Sequence, residues 1–457
     1  MENRLLEKYN KPVPRYTSYP PANYFNEEIT SAEQIELIGK SNNWKPDHIA
    51  LYVHIPFCKK ICFYCGCNVC KLKTTSEVEM YMEALKKEIL LTKKYLDDRR
   101  KVTQLHFGGG TPNAIPVEML QEIIDLFRSK FTFSPDAEIA IETNPAYLDH
   151  EYLDALNNAG FNRFSFGIQD FDETVLKLVN REPSAMPVSA LMEYVRKANP
   201  KAAINLDFIY GLPGQTVKSF SSTIEKAAGL QPDRLVTFSY AHVPWLKKHQ
   251  QILEKRGLPG PEEKSAMFGA GYKILVSAGY QPIGLDHFVK KDDELSLALQ
   301  NKQLHRNFQG YCTRETTGQV YAFGVTSISQ FEKAYVQNTK SMEKYIHEIN
   351  NNRLPVEKGL RVSDEQIIIR ETITRLMCNK ILDWNQLASF FEITPAELKK
   401  VLKHDPKELV ELEKDGLIES TDNGLVITDA GSMYIRNIAA TFDPAYKEQV
   451  NKYSKSV

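Results

Sequence analysis

The stretch YVHIPFCKKICFYCGC, from Tyr52 to Cys67, joins a short apolar run to a tight group of cysteines. Its first half continues the run IALYVHI, whose β-branched and aromatic residues predict a buried strand that ends before Pro56. From Phe57 onward it holds four of the chain's seven cysteines, and a fifth, Cys70, follows three residues after its end. The stretch therefore predicts a strand that carries a sulfur-rich loop at its carboxyl end.

Five further apolar runs follow along the first two thirds of the chain, and amphipathic stretches separate them. The runs are VTQLHFGGG, EIAIETNP, RFSFGIQDF, AINLDFIYGLP and RLVTFSYAHVP. The stretches between them, such as SEVEMYMEALKKEILLTKKYL and PVEMLQEIIDLFRSKF, space their apolar residues as helices do. Six alternations of strand and helix predict an α/β fold built on a parallel (β/α) barrel, complete or partial.

Length and composition predict several domains. At 457 residues the chain exceeds the size at which one hydrophobic core usually stops growing. We expect an N-terminal arm over residues 1–45, a barrel domain with a substrate-site extension over 46–335, and a mainly helical, winged-helix-like C-terminal domain over 336–457. Positions 380–429 carry six Lys, no Arg and eleven acidic residues, which argues against a nucleic-acid partner.

Charge, hydropathy and cysteine use predict the compartment. The chain has 57 basic and 58 acidic residues, and 42% of its residues are hydrophobic. Its first residues show no apolar stretch followed by a cleavage site, and no run of eighteen uncharged apolar residues occurs. We therefore expect a cytoplasmic protein with no membrane association. In reducing cytosol, a dense group of cysteines indicates a metal site more than a disulfide framework.

The cysteines follow the spacing C-x3-C-x2-C-x-C. A tetrahedral zinc site usually draws its ligands from two separated pairs, and no second pair follows at a suitable distance. Ferredoxin clusters bind a protein thiolate at every iron and rarely take their ligands from so short a segment. Three thiolates spaced three and two apart could hold one corner of a cubane cluster and leave its fourth iron open to a small molecule. A chance grouping of thiols or a zinc knuckle is the alternative.

The C-x3-C-x2-C motif after a first barrel strand resembles the signature of the radical S-adenosylmethionine (SAM) superfamily. A narrower resemblance, over roughly residues 14–330, is to the oxygen-independent coproporphyrinogen III oxidase family. The blocks that carry it, in order, are RYTSYP, YVHIPFCKKICFYCGC, FGGGTP, FSFGIQDF, VNREP, INLDFIYGLPGQT, SYAHVP, GLDHF and LHRNFQGY. It implies a radical SAM partial (β/α)6 TIM-like barrel.

The resemblance also implies the cofactors, a [4Fe-4S] cluster held by Cys58, Cys62 and Cys65 and SAM bound beside it. The open iron of such a cluster binds the amino and carboxylate groups of SAM, and one electron from the cluster cleaves SAM to methionine and a 5′-deoxyadenosyl radical. The family is thought to bind a second SAM as well. Carried over by position, contacts to the first SAM fall on Tyr52, Gly109, Glu142 and Ile328, and contacts to the second fall on Tyr64, Gly110, Thr111, Gln169, Arg181, Asp207 and Ala241.

The activity that the resemblance implies is the decarboxylation of two propionates of coproporphyrinogen III to vinyl groups, giving protoporphyrinogen IX in haem biosynthesis. The reaction needs an electron donor and an electron acceptor that the sequence does not identify, and we expect a monomer. The substrate propionates need cations. The candidates are Arg15, His287, Lys290, Lys291, His305 and Arg306, although Lys290 and Lys291 also suit a solvated surface pair.

Three other functions fit parts of the pattern. A haem-binding chaperone of the same superfamily is the main alternative, and Cys67 and the RYTSYP arm favour the oxidase because such chaperones generally lack both. The second is a haem-degrading radical SAM methyltransferase. The third is a simple iron-sulfur electron carrier, against which the predicted barrel and the chain length argue.

Overall fold

The computed structural model describes residues 2–26, 29–72, 74–313, 319–446 and 453. The strands there are β1 (Ile49–Ile55), β2 (Phe57–Cys58), β3 (Cys70–Lys71), β4 (Lys101–Gly109), β5 (Thr132–Thr143), β6 (Arg163–Gln169), β7 (Ala203–Tyr210), β8 (Arg234–Ser239), β9 (Gln281–Ile283), β10 (His287–Val289), β11 (Leu304–Arg306), β12 (Tyr311–Thr313), β13 (Val320–Phe323), β14 (Ile328–Gln330), β15 (Ala334–Asn338), β16 (Val356–Arg361), β17 (Ile381–Asp383), β18 (Ile418–Thr421) and β19 (Gly424–Ile427).

The α-helices of the same ranges are α1 (Glu2–Tyr9), α2 (Ser31–Ser41), α3 (Thr75–Lys93), α4 (Val117–Lys130), α5 (His150–Ala159), α6 (Glu173–Leu178), α7 (Val188–Ala198), α8 (Val217–Gly229), α9 (Gln251–Glu254), α10 (Pro261–Ser277), α11 (Glu294–Gln300), α12 (Met342–Asn350), α13 (Asp364–Asn379), α14 (Trp384–Phe390), α15 (Pro395–Leu402), α16 (Pro406–Lys414), α17 (Asp429–Ser432) and α18 (Ile435–Ala440). Short 3-10 helices cover Ala22–Tyr24, Pro112–Ala114, Pro145–Tyr147 and Lys248–Gln250. Every helix in these ranges is too short or too polar to cross a lipid bilayer.

One twelve-stranded sheet organises the molecule, in the order β16-β15-β14-β13-β1-β4-β5-β6-β7-β8-β10-β9. The seven strands from β13 to β8 are parallel, and antiparallel strands extend both edges. Within the described ranges the outer strands β9 and β16 do not pair with each other, so the barrel is open. The predicted partial (β/α)6 barrel is confirmed. The seventh parallel strand, β13, was not predicted, because four residues are too few to show a period.

Burial explains why these segments take up this arrangement. Every residue of β1 except Tyr52 is buried, as expected for a parallel strand covered on both faces. Helix α4 turns Leu120, Ile123, Ile124 and Phe127 toward the sheet at helical spacing, and all four are fully buried. The helices that follow β4, β5 and β7 thus cover the outside of the barrel and leave the carboxyl ends of its strands accessible to the connecting loops.

A second hydrophobic cluster joins the two ends of the chain. Apolar residues between positions 5 and 19 pack with buried residues of the segment 368–442. Tyr16 donates a buried hydrogen bond of 3.0 Å to Asp443. The buried guanidinium of Arg436 donates to the carbonyl oxygens of Val13 and Pro14. The proline-rich part of the arm is therefore fastened to the C-terminal helices.

The predicted domain limits fall near changes in the fold but do not coincide with all of them. Helices α1 and α2 lie within the predicted arm of residues 1–45, so only its proline-rich middle is extended. Strands β15 and β16 continue the large sheet to Arg361, past position 335. The predicted hairpin forms from β18 and β19, and β17 adds a third strand to it. The division into three domains stays a prediction.

Candidate active site

The sequence-predicted site residues lie mostly at the carboxyl ends of the parallel strands. Cys58 follows β1, and Cys62, Tyr64 and Cys65 lie in the loop between β2 and β3. The others are Gly109 at the end of β4, Gly110 and Thr111 after it, Glu142 one residue before the end of β5, Gln169 at the end of β6, Arg181 after α6, and Ala241 after β8. Tyr52 and Asp207 lie within β1 and β7. In a (β/α) barrel this edge carries the active site.

Ile328 is the predicted site residue that lies farthest from the others in the chain. It starts β14, directly after the turn at residues 324–327 that follows β13. Because β13 runs parallel to β1, with Phe323 opposite Val53, this turn lies at the same edge as the cysteines. The fold therefore brings Ile328 to the correct edge, and its contact with SAM stays a prediction.

The segment after β8 holds the cysteine loop in place. The Nε2 atom of Gln250, which is fully buried, donates to the carbonyl oxygens of Tyr64 at 3.0 Å and Ala241 at 3.3 Å. The carbonyl oxygen of Cys65 lies 2.8 Å from His249 Nε2, and that of Cys67 accepts from Lys247 Nζ at 2.6 Å. Sequence analysis missed Gln250, since a polar residue in a charged loop carries no signal of burial.

The five clustered cysteines are free thiols that differ in exposure. Cys58 and Cys62 are buried, whereas Cys67 is exposed. Burial raises the pKa of Cys58 to about 11, and a hydrogen bond with Cys67 lowers the pKa of Cys65 to about 7. Among the described residues, no three or more Cys, His, Asp or Glu side chains are grouped for a single metal ion.

Arg181 and Gln169 meet beside this loop. Arg181 Nη1 lies 3.9 Å from Cys62 Sγ, and Nη2 donates to the carbonyl oxygen of Gly167. A Cβ on Gly167 would come within 2.9 Å of the Arg181 guanidinium and 2.8 Å of Gln169 Nε2. Arg181 Nε and Gln169 Oε1 are buried, and neither has a hydrogen-bond partner in the described part of the chain. Such orphaned groups are the expected mark of a ligand site.

The glycines after β4 bring backbone close to the loop. A Cβ on Gly110 would lie 2.7 Å from the carbonyl carbon and oxygen of Pro56, so only glycine fits there. The Gly110 N–H donates to Ile55 O at 2.8 Å, and the Thr111 N–H donates to Phe57 O at 2.9 Å. The Thr111 hydroxyl lies 3.4 Å from Cys58 Sγ. The run GGGTP is thus packed directly against the first cysteine.

Glu142 lies next to these glycines and is held by a histidine that sequence analysis missed. Its carboxylate lies 3.0 Å from His106 Nε2 and accepts from the Gly109 N–H at 3.4 Å. Burial raises the pKa of Glu142, but the hydrogen bond and charge of His106 outweigh burial and leave the pKa below its usual value. The Tyr52 ring stacks on His106 with 5.9 Å between ring centres. Glu142 is therefore an ionised acceptor at the strand edge.

Asp207 lies within β7, three residues before the end of the strand, whereas Glu142 lies one residue before the end of β5. Ser165 Oγ donates to it at 2.6 Å and Asn205 Nδ2 donates at 2.8 Å. Burial raises the pKa of Asp207 to about 6. The buried Oδ1 atom of Asn205 has no hydrogen-bond partner among the described residues. This polar group at the barrel interior has acceptors available for a bound ligand.

The predicted substrate cations do not all lie together. Arg15 and Arg306 line one cavity, and Asp286, the partner of His287 at 2.7 Å, lines it too. Lys290 instead pairs with Asp233 at 3.2 Å, at the amino end of β8, and Lys291 follows it there. This position at the far side of the sheet from the cysteines favours the solvated surface pair, the alternative that the sequence also offered for Lys290 and Lys291.

His305 is also removed from Arg15. It lines a different cavity together with His48, which precedes β1 at the amino-terminal edge of the sheet. Its neighbour Arg306 points the other way, as alternation along a strand requires, and lines the cavity with Arg15. Of the six cations proposed from sequence, Arg15, Arg306 and, through Asp286, His287 are the ones that the fold brings together.

The residues present fit a [4Fe-4S] cluster with SAM beside it. Three free thiols lie in one loop, Arg181 offers a cation next to one of them, and Glu142 offers an ionised carboxylate. Orphaned polar atoms on Gln169, Arg181 and Asn205 have hydrogen-bonding capacity that a polar ligand could use. This donor set suits iron-sulfur ligation, because thiolates are the usual protein ligands of such clusters.

Comparison with known proteins shows the family to which the chain belongs. Residues 52–227 match the radical SAM superfamily. The chain is 41% identical over 441 residues to the oxygen-independent coproporphyrinogen III oxidase of Synechocystis sp., which covers 96% of this chain and 94% of that protein. It is 38% identical over 456 residues to the protein of the same name from Helicobacter pylori, with 99% and 98% covered.

A solved structure shows the same likeness in three dimensions. The coproporphyrinogen III oxidase of Escherichia coli, described as a radical SAM enzyme, superposes with a TM-score of 0.88 at 34% identity. The match covers 97% of this chain and 98% of that one. The chain therefore belongs to the oxygen-independent coproporphyrinogen III oxidase family of radical SAM enzymes.

Proposed function

We propose that this protein decarboxylates two propionate side chains of coproporphyrinogen III to vinyl groups and so forms protoporphyrinogen IX. The observation that carries the proposal is the cysteine loop with Cys58, Cys62 and Cys65 at the carboxyl edge of a barrel whose relatives, similar over nearly their whole length, are named for this oxidase. The substrate class is inferred from the names of those relatives. The site contributes the three thiols that a cluster would need.

A radical SAM enzyme uses a [4Fe-4S] cluster and SAM, which when bound supply a 5′-deoxyadenosyl radical after one-electron reduction. In the proposed reaction one hydrogen atom leaves the β-carbon of each propionate. Loss of carbon dioxide and one electron then leaves the vinyl group. The chain must therefore hold the cofactors, orient the propionates and keep water and oxygen from the reacting carbon.

The side chains around the loop support the first of these tasks. Cys58, Cys62 and Cys65 would bind three irons, and the Arg181 cation beside Cys62 would stabilise the negative charge of that ligand. Glu142 would accept from the amine or ribose of SAM, since His106 and Gly109 keep its carboxylate ionised and oriented. Gly110 would keep the loop close to the strand edge because no Cβ intervenes.

A second SAM site belongs to the proposal as its finer part. The residues predicted for it are Tyr64, Gly110, Thr111, Gln169, Arg181, Asp207 and Ala241. Orphaned atoms on Gln169 and Arg181 support it, because a carboxylate is a suitable partner for a guanidinium and ribose hydroxyls suit Asp207. We also propose that the protein is a cytoplasmic monomer. It would take an electron from a reduced donor for the cleavage of SAM and pass the electrons lost by the substrate to a separate acceptor.

The experiment that tests the function is anaerobic. The cluster is reconstituted and the enzyme is mixed with SAM, dithionite, coproporphyrinogen III and a cell extract that contains an electron acceptor. Mass spectrometry then follows the tetrapyrroles and 5′-deoxyadenosine. The proposal expects two propionates converted to vinyls, with 5′-deoxyadenosine formed alongside, and none of either product from the Cys58→Ala variant.

Two results would contradict the proposal. Formation of 5′-deoxyadenosine without change in the porphyrinogen, together with tight haem binding, would favour the haem chaperone or the haem-degrading methyltransferase. Binding of one SAM per reconstituted chain in anaerobic equilibrium dialysis would contradict the second SAM site and leave the oxidase activity in place.

A further inference from the structure

Two adjoining cavities lie between the N-terminal arm, the carboxyl ends of β7 and β8, and the C-terminal helices. Their volumes are about 60 Å³ and about 410 Å³, and Arg15, Ser239 and Arg436 line both. We call them together the arm cavity. Small-molecule sites usually measure roughly 300–1000 Å³, so the larger of the two has the size of a ligand site.

The arm cavity is lined by an excess of cations. Arg15, Lys264, Arg306 and Arg436 contribute positive charge, whereas Asp286 is the one carboxylate among its described lining residues. Neither Arg15 nor Lys264 forms an ion pair with any residue in the described ranges. Partly buried cations are usually matched by carboxylates, because removing a charge from water is costly. A lining of this kind favours an anionic ligand.

Backbone carbonyls hold these cations in position while leaving donors for a ligand. Arg15 Nη2 donates to Ser239 O at 3.3 Å, and Lys264 Nζ donates to Tyr240 O at 3.4 Å. Arg306 Nη1 donates to Arg15 O at 3.3 Å, and its buried Nε atom has no hydrogen-bond partner among the described residues. The cations are therefore ordered before any ligand binds.

A glycine makes room for one of them. Gly211 has φ +84°, and a Cβ there would lie 2.9 Å from Cε and 3.0 Å from Cδ of Lys264. The aliphatic part of the Lys264 side chain thus crosses the end of β7 beside Gly211, whose positive φ other residues rarely adopt. Burial, and after it the charges of the nearby Arg15 and Arg436, lower the pKa of Lys264 to about 8.

The arm cavity adjoins the cysteine loop and also offers apolar surface. Ala241 lines it, and Gln250 links the carbonyl oxygens of Ala241 and Tyr64. Apolar and aromatic lining comes from Tyr240, Trp245, Leu258, Phe268 and Leu285. A ligand there could place carboxylates on the cations, its rings on the apolar side chains and one edge toward the site of radical formation.

We propose that the arm cavity binds the tetrapyrrole substrate and that Lys264 and Arg436 join Arg15 and Arg306 in recognising its four carboxylates. The inference rests on the proposed function, since it names the residues that would select a tetracarboxylate. Arg15 comes from the arm, Lys264 from α10, Arg306 from β11 and Arg436 from α18. Docking of the arm on the C-terminal helices thus completes the site.

Equilibrium binding tests the inference without depending on turnover. The probes are coproporphyrin III, with four carboxylates, and mesoporphyrin IX, with two, each titrated into the reconstituted enzyme and followed by porphyrin fluorescence. The variants are Lys264→Gln, Lys264→Arg and Arg306→Gln. Lys273→Gln is the matched control, because Lys273 lies exposed on the same helix α10. Arg436 is left intact because it also anchors Val13 and Pro14.

The wild type is expected to bind coproporphyrin III at least tenfold more tightly than mesoporphyrin IX. Lys264→Gln and Arg306→Gln should each weaken coproporphyrin binding at least fivefold and reduce the preference, Lys264→Arg should retain most of it, and Lys273→Gln should match the wild type. The midpoint of urea unfolding and the iron content after reconstitution should match the wild type in all four variants, which shows that they are folded.

Equal binding of the two probes by the wild type, or wild-type coproporphyrin binding by both Lys264→Gln and Arg306→Gln, would overturn the inference. A lower urea midpoint in one of these two variants leaves the decision to the other, because Lys264 and Arg306 lie on separate elements. A wild type that forms no protoporphyrinogen IX would instead overturn the proposed function. The two failures are therefore distinguishable.

Discussion

The Nη1 atom of Arg181 lies 3.9 Å from the Sγ atom of Cys62. Arg181 follows α6, more than a hundred positions after the cysteine loop, so the barrel alone brings the two side chains together. With Cys62 as a proposed cluster ligand, a guanidinium so close to it would favour the more negative, reduced state of the cluster. A residue after α6 is therefore positioned to affect the reduction of a cluster bound by the loop between β2 and β3.

We expect Arg181→Gln to lower the reduction potential of the cluster and to slow turnover at least tenfold, with the iron content unchanged. The reason is the loss of positive charge beside Cys62. Anaerobic redox titration with electron paramagnetic resonance measures the potential. Arg256→Gln is the matched control, since the Arg256 guanidinium lies 5.0 Å from the ring centre of Phe63 in the same loop. An unchanged potential in Arg181→Gln would contradict the assignment.

The three cluster ligands should be separable from the other cysteines by single substitutions. Cys58→Ala, Cys62→Ala and Cys65→Ala should each lose most reconstituted iron and all formation of 5′-deoxyadenosine. Cys67→Ala should keep an iron-sulfur absorption spectrum, because the exposed Cys67 thiol only hydrogen-bonds to Cys65. The buried Cys378 gives the control Cys378→Ala, remote in sequence from the loop. A Cys67→Ala protein without iron would show that the ligand set is wrong.

Gly110→Ala should push the cysteine loop away from β4. The new Cβ would lie 2.7 Å from the Pro56 carbonyl group, which is backbone and has little freedom to move. We expect about 1–3 kcal/mol less stability, typical of overpacking, and at least a tenfold loss of turnover. Urea unfolding and 5′-deoxyadenosine assays measure the two effects. Gly269→Ala on α10 has open space around the new Cβ and should be neutral or slightly stabilising.

Glu88 should make the stability of the fold depend on pH. This buried carboxyl accepts from the Gly324 N–H at 2.7 Å and from the hydroxyl of Tyr345 and the amide of Asn338, both at 2.6 Å. Burial raises the pKa of Glu88 from 4.5 to about 7. Below pH 4.5 the carboxyl is protonated in both folded and unfolded chains, so the shift costs nothing. Above pH 7 it is ionised in both, and the folded state carries the cost of the buried charge.

Glu88→Gln should therefore gain stability relative to the wild type as the pH rises from about 5 to 8, by no more than about 3 kcal/mol. Urea unfolding of the cluster-free chains at the two pH values measures this difference. Glu79→Gln, at an exposed position of the same helix α3, is the control and should show no such trend. A difference between Glu88→Gln and wild type that is the same at both pH values would contradict the prediction.

Much of the fold follows from local patterns. The six strand-like runs and the helices between them, the cysteine loop after β1 and the family itself were predicted and are confirmed. These features depend on residues close together in the chain, and their apolar periodicity and motif spacing can be read directly from the sequence. The short strand β13 was missed because its pairing with β1 spans more than 260 positions, and four residues carry no period of their own.

The sequence by itself determined that a barrel strand delivers three thiols to a loop, since spacing and periodicity are local properties. Only the tertiary structure decided which polar groups surround that loop. Gln250, His106, Lys264 and Arg436 come from separate elements, and nothing in their immediate sequence distinguishes them from ordinary surface residues. The sequence left the role of Lys290 open for the same reason, because the side of the sheet on which a charge lies depends on strand pairing and not on neighbouring residues.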